Sequence, residues 1–113
     1  MRLVHYTDVE AENVEQGASG VTIRWLIDEK AGGKNFCMRH FEIAPGGYTP
    51  HHDHAWEHEV FILEGTGEIL SGDAPHAFRP GDVILVPGGE KHQFRNAGET
   101  PVRLLCMVPA RDP

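Results

Sequence analysis

Glycine and proline cut this chain into short apolar runs at close intervals, and that punctuation restricts the fold more than any other feature. Residues 21–28 (VTIRWLID) alternate and are rich in β-branched side chains; residues 36–44 (FCMRHFEIA) follow and end at Pro45-Gly46-Gly47. Residues 59–63 (EVFIL) lead into Gly65-Thr66-Gly67, residues 68–70 restart, and residues 77–79 precede Pro80-Gly81-Asp82. Residues 83–86 (VILV), the turn Pro87-Gly88-Gly89, residues 92–95 and residues 102–108 (VRLLCMV) complete the series. Short alternating runs separated by Gly/Pro turns predict an all-β sandwich or barrel. No stretch keeps apolar residues at i, i+3, i+4 and i+7 for three turns, so no helix is expected.

The 113 residues are enough for one domain, residues 1–113, with a core of its own, and few enough to gain from covering its sheet edges in a homodimer. A net charge of -7 argues against nucleic acid and anionic membranes as partners, since both are polyanions. No run approaches the ~18 apolar residues of a membrane helix. Residues 1–10 lack the apolar stretch of a signal peptide, so a cytoplasmic location is expected. Cys37 and Cys106 both lie in apolar strand-like runs and read as reduced thiols rather than a disulfide framework.

Side chains alternate faces along a strand, so residues of one parity share a face. His52, His54 and His58 share parity, and Val60 and Ile62 continue it inward; Glu57, Glu59 and His51 fall on the other side. His92 is expected from a neighbouring strand, with Phe94 and Asn96 on its inward face and Gln93 and Arg95 outward. Imidazole is the commonest protein ligand for divalent first-row metals. His52, His54, His58 and His92 are therefore the candidate ligands of one metal ion, at roughly 2.1 Å through ring nitrogens. His5, His40, His51 and His76 have no such mates and read as solvated.

These residues carry a family resemblance. Gly46-x5-His52-x-His54-x3-His58-x6-Gly65 resembles the first cupin motif, with His58 where that motif has Glu. Gly81-x5-Pro87-x-Gly89-x2-His92-x3-Asn96 is similar to the second cupin motif at every position. The resemblance implies a double-stranded β-helix, or jelly-roll barrel, with a metal inside one end. It implies a homodimer as well. The His-x-His-x-Trp-Glu-His-Glu stretch resembles a small subgroup of four-histidine, manganese-binding monocupins associated with oxidative cleavage of alkene C=C bonds. Manganese is thus the first expected metal, although imidazoles also suit Fe, Ni, Cu and Zn. Four imidazoles are neutral, so a bound M²⁺ keeps its full charge and is the stronger Lewis acid.

Parity also names a pocket wall. Val102, Leu104, Cys106 and Val108 face inward, and in the subgroup this chain resembles the corresponding Cys lies beside the metal; a thiol near the site and an inert buried thiol both fit. Arg39 turns inward with Phe41 and Ile43, either to bind a carboxylate, an enolate or a peroxide-level oxygen, or to form a strand-end salt bridge. Phe94 and Leu104 are further candidates for the wall. Trp56, between ligands, serves either as a cap on the opening or as a dimer contact.

Three functions are compatible with this pattern. The first is a metal-dependent oxygenase acting on a small organic molecule, since four protein ligands leave about two positions on a six-coordinate metal. The second is a Lewis-acid lyase or isomerase; the cupin hydroxynitrile lyases resemble this chain but carry Gln where it has His58. The third is a small-molecule or metal-binding module without turnover.

Overall fold

Strands form where the alternating runs stand, and one long strand ties them together. The computed structural model describes residues 1–110. The strands are β1 (Glu12–Val14), β2 (Ser19–Ile27), β3 (Phe36–Tyr48), β4 (His58–Glu64), β5 (Gly67–Ser71), β6 (Ala74–Phe78), β7 (Val83–Val86), β8 (His92–Arg95) and β9 (Val102–Pro109). Every pairing is antiparallel. They run β6-β5-β8-β3-β9-β4-β7, with β2 also on β3 and β1 on β2. This is the curled sheet of a jelly roll, with β3 passing from one layer to the other. Among the described residues the only helical element is a 3₁₀ turn, Tyr6–Asp8, and no helix is long and apolar enough to cross a membrane.

The parity argument holds strand by strand. In β4, His58, Val60 and Ile62 are buried while Glu59, Phe61 and Leu63 are exposed. In β9, Val102, Leu104, Cys106 and Val108 are all buried between half-buried neighbours. Ile43, Ile62 and Val102 have no exposed surface and form the centre of the core, each contributing about 1.5–3 kcal/mol by leaving water. Arg103, on the outer face, pairs with Glu42 at 2.9 Å and Glu64 at 2.5 Å. Both cysteines are free and buried.

Three expectations are corrected. Pro45-Gly46-Gly47 does not end β3. Gly46 takes a positive φ of 80°, and the chain bulges there without losing its partners. Gly46 N–H donates to Asn96 O and Asn96 N–H to Gly47 O, both at 2.9 Å, so the strand changes neighbours from β9 to β8. β1 (ENV) is too polar to announce itself and is a strand only because β2 pairs with it. His40 points out of the barrel but is not solvated. The N-terminal segment lies over it, with the Tyr6 ring stacked at 4.8 Å, and only 4% of it is exposed. Burial there, reinforced by the Arg24 charge, lowers its pKa.

Candidate metal centre and its cavity

The histidines do not share one strand: His58 and His92 open β4 and β8, His52 sits on an isolated bridge to His92, and His54 lies in the loop that follows. His52 and His92 form an antiparallel bridge, exchanging N–H···O bonds of 3.2 and 2.9 Å. Residues directly opposite in such a pair project to the same face. One step back, Thr49 N–H donates to Phe94 O, and Phe94 N–H to Thr49 Oγ1, each at 2.9 Å. The loop between His54 and His58 is held from the other side, where Gly89 N–H donates to His54 O. A Cβ on Gly88 would stand 2.3 Å from Ala55 O, so only glycine lets the two loops come this close.

The four rings gather at one point, although no strand carries His54 there. Centroids are 4.1 Å apart for His52 and His54, 5.3 Å for His52 and His92, and 5.8 Å for His54 and His92. His58 stands 5.1 Å from His54 and 4.9 Å from His92. His52, His54 and His92 offer ring nitrogens all within 4.8 Å of one another, a set able to hold a metal ion. His58 completes the ring cluster but its nitrogens lie outside that tight triad. His92 Nδ1 is 2.9 Å from Glu90 O, a contact that keeps the proton on Nδ1 and the lone pair on Nε2. His51 points elsewhere; it is half-buried rather than solvated, with Nε2 2.9 Å from Gly72 O. His5 and His76 are exposed, as read from the sequence.

His58 has two unequal nitrogens. Its Nε2 is buried and has no hydrogen-bond partner, the condition of an atom whose partner is a metal or ligand. Its Nδ1 lies 3.3 Å from Cys106 Sγ and 3.3 Å from Arg39 Nη2, which itself donates to Sγ at 3.0 Å. Ligation through Nε2 requires the proton on Nδ1, and Cys106 sulfur is the acceptor within reach. Cys106→Val is therefore expected to weaken metal binding about tenfold while Cys106→Ser, which keeps an acceptor, stays near wild type. Titration with Co²⁺ followed by its visible absorption checks this. Equal affinity in all three proteins contradicts the role given to sulfur.

Burial favours the neutral form of His52, His54 and His58, as ligation demands. Burial lowers the pKa of His58 to about 3, aided by the Arg39 charge and the neighbouring rings. Burial and repulsion from His54 and His92 lower that of His52 to about 4, and burial lowers that of His54. Burial raises the Cys106 thiol, with Arg39 opposing. A stability effect follows with a definite sign. The unfolded chain binds protons at imidazoles near pH 6.5, and the folded site refuses them until about 3–4. Chelator-treated protein is expected to lose thermal stability steadily as pH falls through that window, with a shallower slope in His58→Gln. A flat melting temperature in both contradicts it.

The cluster forms the polar end of a cavity of about 230 Å³ whose remaining lining is mostly apolar. Arg39, Trp56, Phe94, Leu104 and Cys106, all named from the sequence, line it. Trp56 stacks on His54 at 4.5 Å with planes 9° apart, so it forms part of the cavity wall. Phe41, read as turning inward with Arg39, lines it too, and so do Trp25 and Ile23, which were not read as pocket residues. Continuing the parity of buried Val21 along β2 reaches both Ile23 and Trp25, which is the signal that points to them. Cys37 borders a different depression, beside Asp28 and Glu29, where burial raises its pKa.

The Cupin domain family matches residues 39–108, and this chain belongs to it. The polyketide cyclase RemF of Streptomyces resistomycificus superposes with a TM-score of 0.94 and 40% identity, covering 100% of this chain and 82% of that one. Protein SchB of Streptomyces halstedii is 31% identical over 105 residues, 92% of this chain and 74% of that protein. The 1-methylthio-D-xylulose 5-phosphate methylsulfurylase of Rhodospirillum rubrum is 40% identical over 73 residues, 65% of this chain. The matched part is 47% of the methylsulfurylase, so this chain corresponds to about half of that relative.

Proposed function

We propose that this protein is a metal-dependent cupin enzyme of the cyclase or isomerase type, acting on a small substrate that can enolise. One observation carries the reading: a four-imidazole cluster closes an apolar, aromatic-walled cavity in which no carboxylate stands among the described lining residues. A divalent ion held by His52, His54, His58 and His92 supplies Lewis acidity to a carbonyl oxygen. The chain's own contribution is to keep the imidazoles unprotonated, to hold His58 through Cys106, and to exclude water with Trp25, Phe41, Trp56 and Phe94. Likeness to a polyketide cyclase across the whole chain supports carbonyl chemistry over other uses of the fold.

Oxidative C=C cleavage is the second reading, because the same neutral donor set leaves open metal positions and a free thiol stands beside it. Manganese is the first candidate metal under both readings, with Fe, Ni, Cu and Zn also compatible with imidazole. Elemental analysis of untreated protein comes first. Assays then follow with poly-β-carbonyl compounds and with styrene-like alkenes, in an oxygen electrode. Metal-dependent conversion of the carbonyl compounds without oxygen uptake is expected. Oxygen uptake coupled to alkene cleavage favours the oxygenase, and no turnover with either class favours a binding module.

Homodimerisation, in the cytoplasm, is part of the same proposal. Val83 (77% exposed), Leu85 (59%) and Phe61 (41%) leave an apolar outer face on β4 and β7, where a second copy would cover it. Light scattering is expected at twice the 12.5 kDa chain mass, and the chain mass itself at micromolar concentration contradicts the dimer.

A further inference from the structure

Arg39 is a cation without an anion. It lies on β3 in the wall of the histidine cavity, its guanidinium 5.0 Å from the Phe41 ring centroid and 5.4 Å from that of Trp25. Its Nε is buried and has no partner, and Nη2 has only Cys106 Sγ and His58 Nδ1 nearby. Among the described residues the arginines in ion pairs are Arg95 and Arg103; Arg39 meets no carboxylate. The strand-end salt bridge considered from the sequence is therefore not formed. A guanidinium keeps its charge at physiological pH, and leaving one unpaired in an apolar wall is costly. The two aromatic faces compensate only in part, because a ring quadrupole does not neutralise a charge. The imidazoles beside it supply no negative charge, and a divalent ion among them would make the cavity more positive still.

We infer that the cavity binds its substrate as a planar organic oxyanion, an enolate or carboxylate on a conjugated body, and that Arg39 is the specificity-determining residue that recognises this charge. This deepens the proposed function and rests on the histidine cavity being the substrate pocket. The flat walls of Trp25, Phe41, Trp56 and Phe94 suit a conjugated body, and the guanidinium fork suits a delocalised oxyanion. Arg39 acts on binding directly rather than through the metal.

The test is binding, on the protein as purified and again after chelation, so that metal-held anions are separated from Arg39-held ones. Naphthoate and its neutral isostere naphthamide are titrated against tryptophan fluorescence, together with the enolate of 1,3-indandione. Wild type is expected to prefer naphthoate over naphthamide by at least about tenfold in both states, the range of a hydrogen bond to a charged group. In chelated protein Arg39→Met is expected to remove that preference, weakening naphthoate at least about tenfold more than naphthamide; Arg39→Lys, which keeps the charge but not the fork, retains part of it. The indandione arm distinguishes the sources: Arg39-dependent binding of both probes defines a general oxyanion site, and of one alone a site for that class. Equal affinity of chelated wild type for naphthoate and naphthamide overturns the inference, as does a preference that survives Arg39→Met after chelation. An Arg39-dependent preference without carbonyl turnover leaves this inference standing and removes the cyclase reading. Turnover with no charge preference does the reverse.

Discussion

Replacing His92 by alanine is expected to strip the protein of its metal and of any metal-dependent turnover, by more than about 100-fold in affinity. Changing a group that merely orients a ligand already costs about 10–100-fold, and His92 offers its nitrogen directly to the cluster. His92 is also bridged backbone to backbone with His52, so the truncation leaves the strand in place and removes only the ring. His52→Ala and His54→Ala are expected to behave alike. His51→Ala is the matched control, because His51 differs from His52 by one residue and faces Gly72 instead of the cavity. Metal content by elemental analysis reads all four variants. Retention of metal by His92→Ala, or its loss from His51→Ala, contradicts the assignment.

Gly65→Ala is expected to cost about 2–5 kcal/mol of stability, from about 1–2 for a left-handed backbone and about 1–3 for overpacking. Gly65 has φ of 84°, and a Cβ there would lie 2.3 Å from Pro101 O and 2.8 Å from Val102 Cα. Both obstacles are backbone, so no side chain can turn aside. The neighbouring strand β9 would have to move, and it carries Val102, Leu104 and Cys106 into the core and the cavity. A melting temperature lowered by roughly 10 °C or more is expected for a domain of this size. An unchanged melting temperature contradicts the close approach of this turn to β9.

Gly65 also shows why so much was legible in advance. The glycines and prolines of the two motifs stand where the backbone turns or comes close, and the apolar runs between them alternate because one face of each strand is core. Period-two parity therefore put His58 in line with Val60 and Ile62 and put Arg39, Phe94, Leu104 and Cys106 on the cavity wall, while the spacing of the two motifs marked His52, His54 and His92 as its mates. The failures share a cause: parity says which side of a sheet a residue faces, not what lies over that side. His40 faces outward and is nevertheless buried, because the N-terminal segment with Tyr6 crosses it. Trp25 was read within a strand but not in the pocket, since parity puts it on the inner face with Val21 and Ile23 but does not say that this part of the inner face borders the histidine cavity. Pro45-Gly46-Gly47 looks like a turn because a bulge needs the same residues as a turn; only the bonds that Gly46 and Gly47 make with Asn96 tell them apart.

His58 departs from the usual carboxylate of the motif, and its nitrogens stand outside the tight triad of His52, His54 and His92. X-ray absorption at the metal edge of the loaded wild type and of His58→Ala measures this directly. Four imidazole nitrogens at about 2.1 Å in the wild type, falling to three in the variant, are predicted. The same three-imidazole spectrum in both proteins, or a sulfur scatterer from Cys106 in the wild type, contradicts a four-histidine centre.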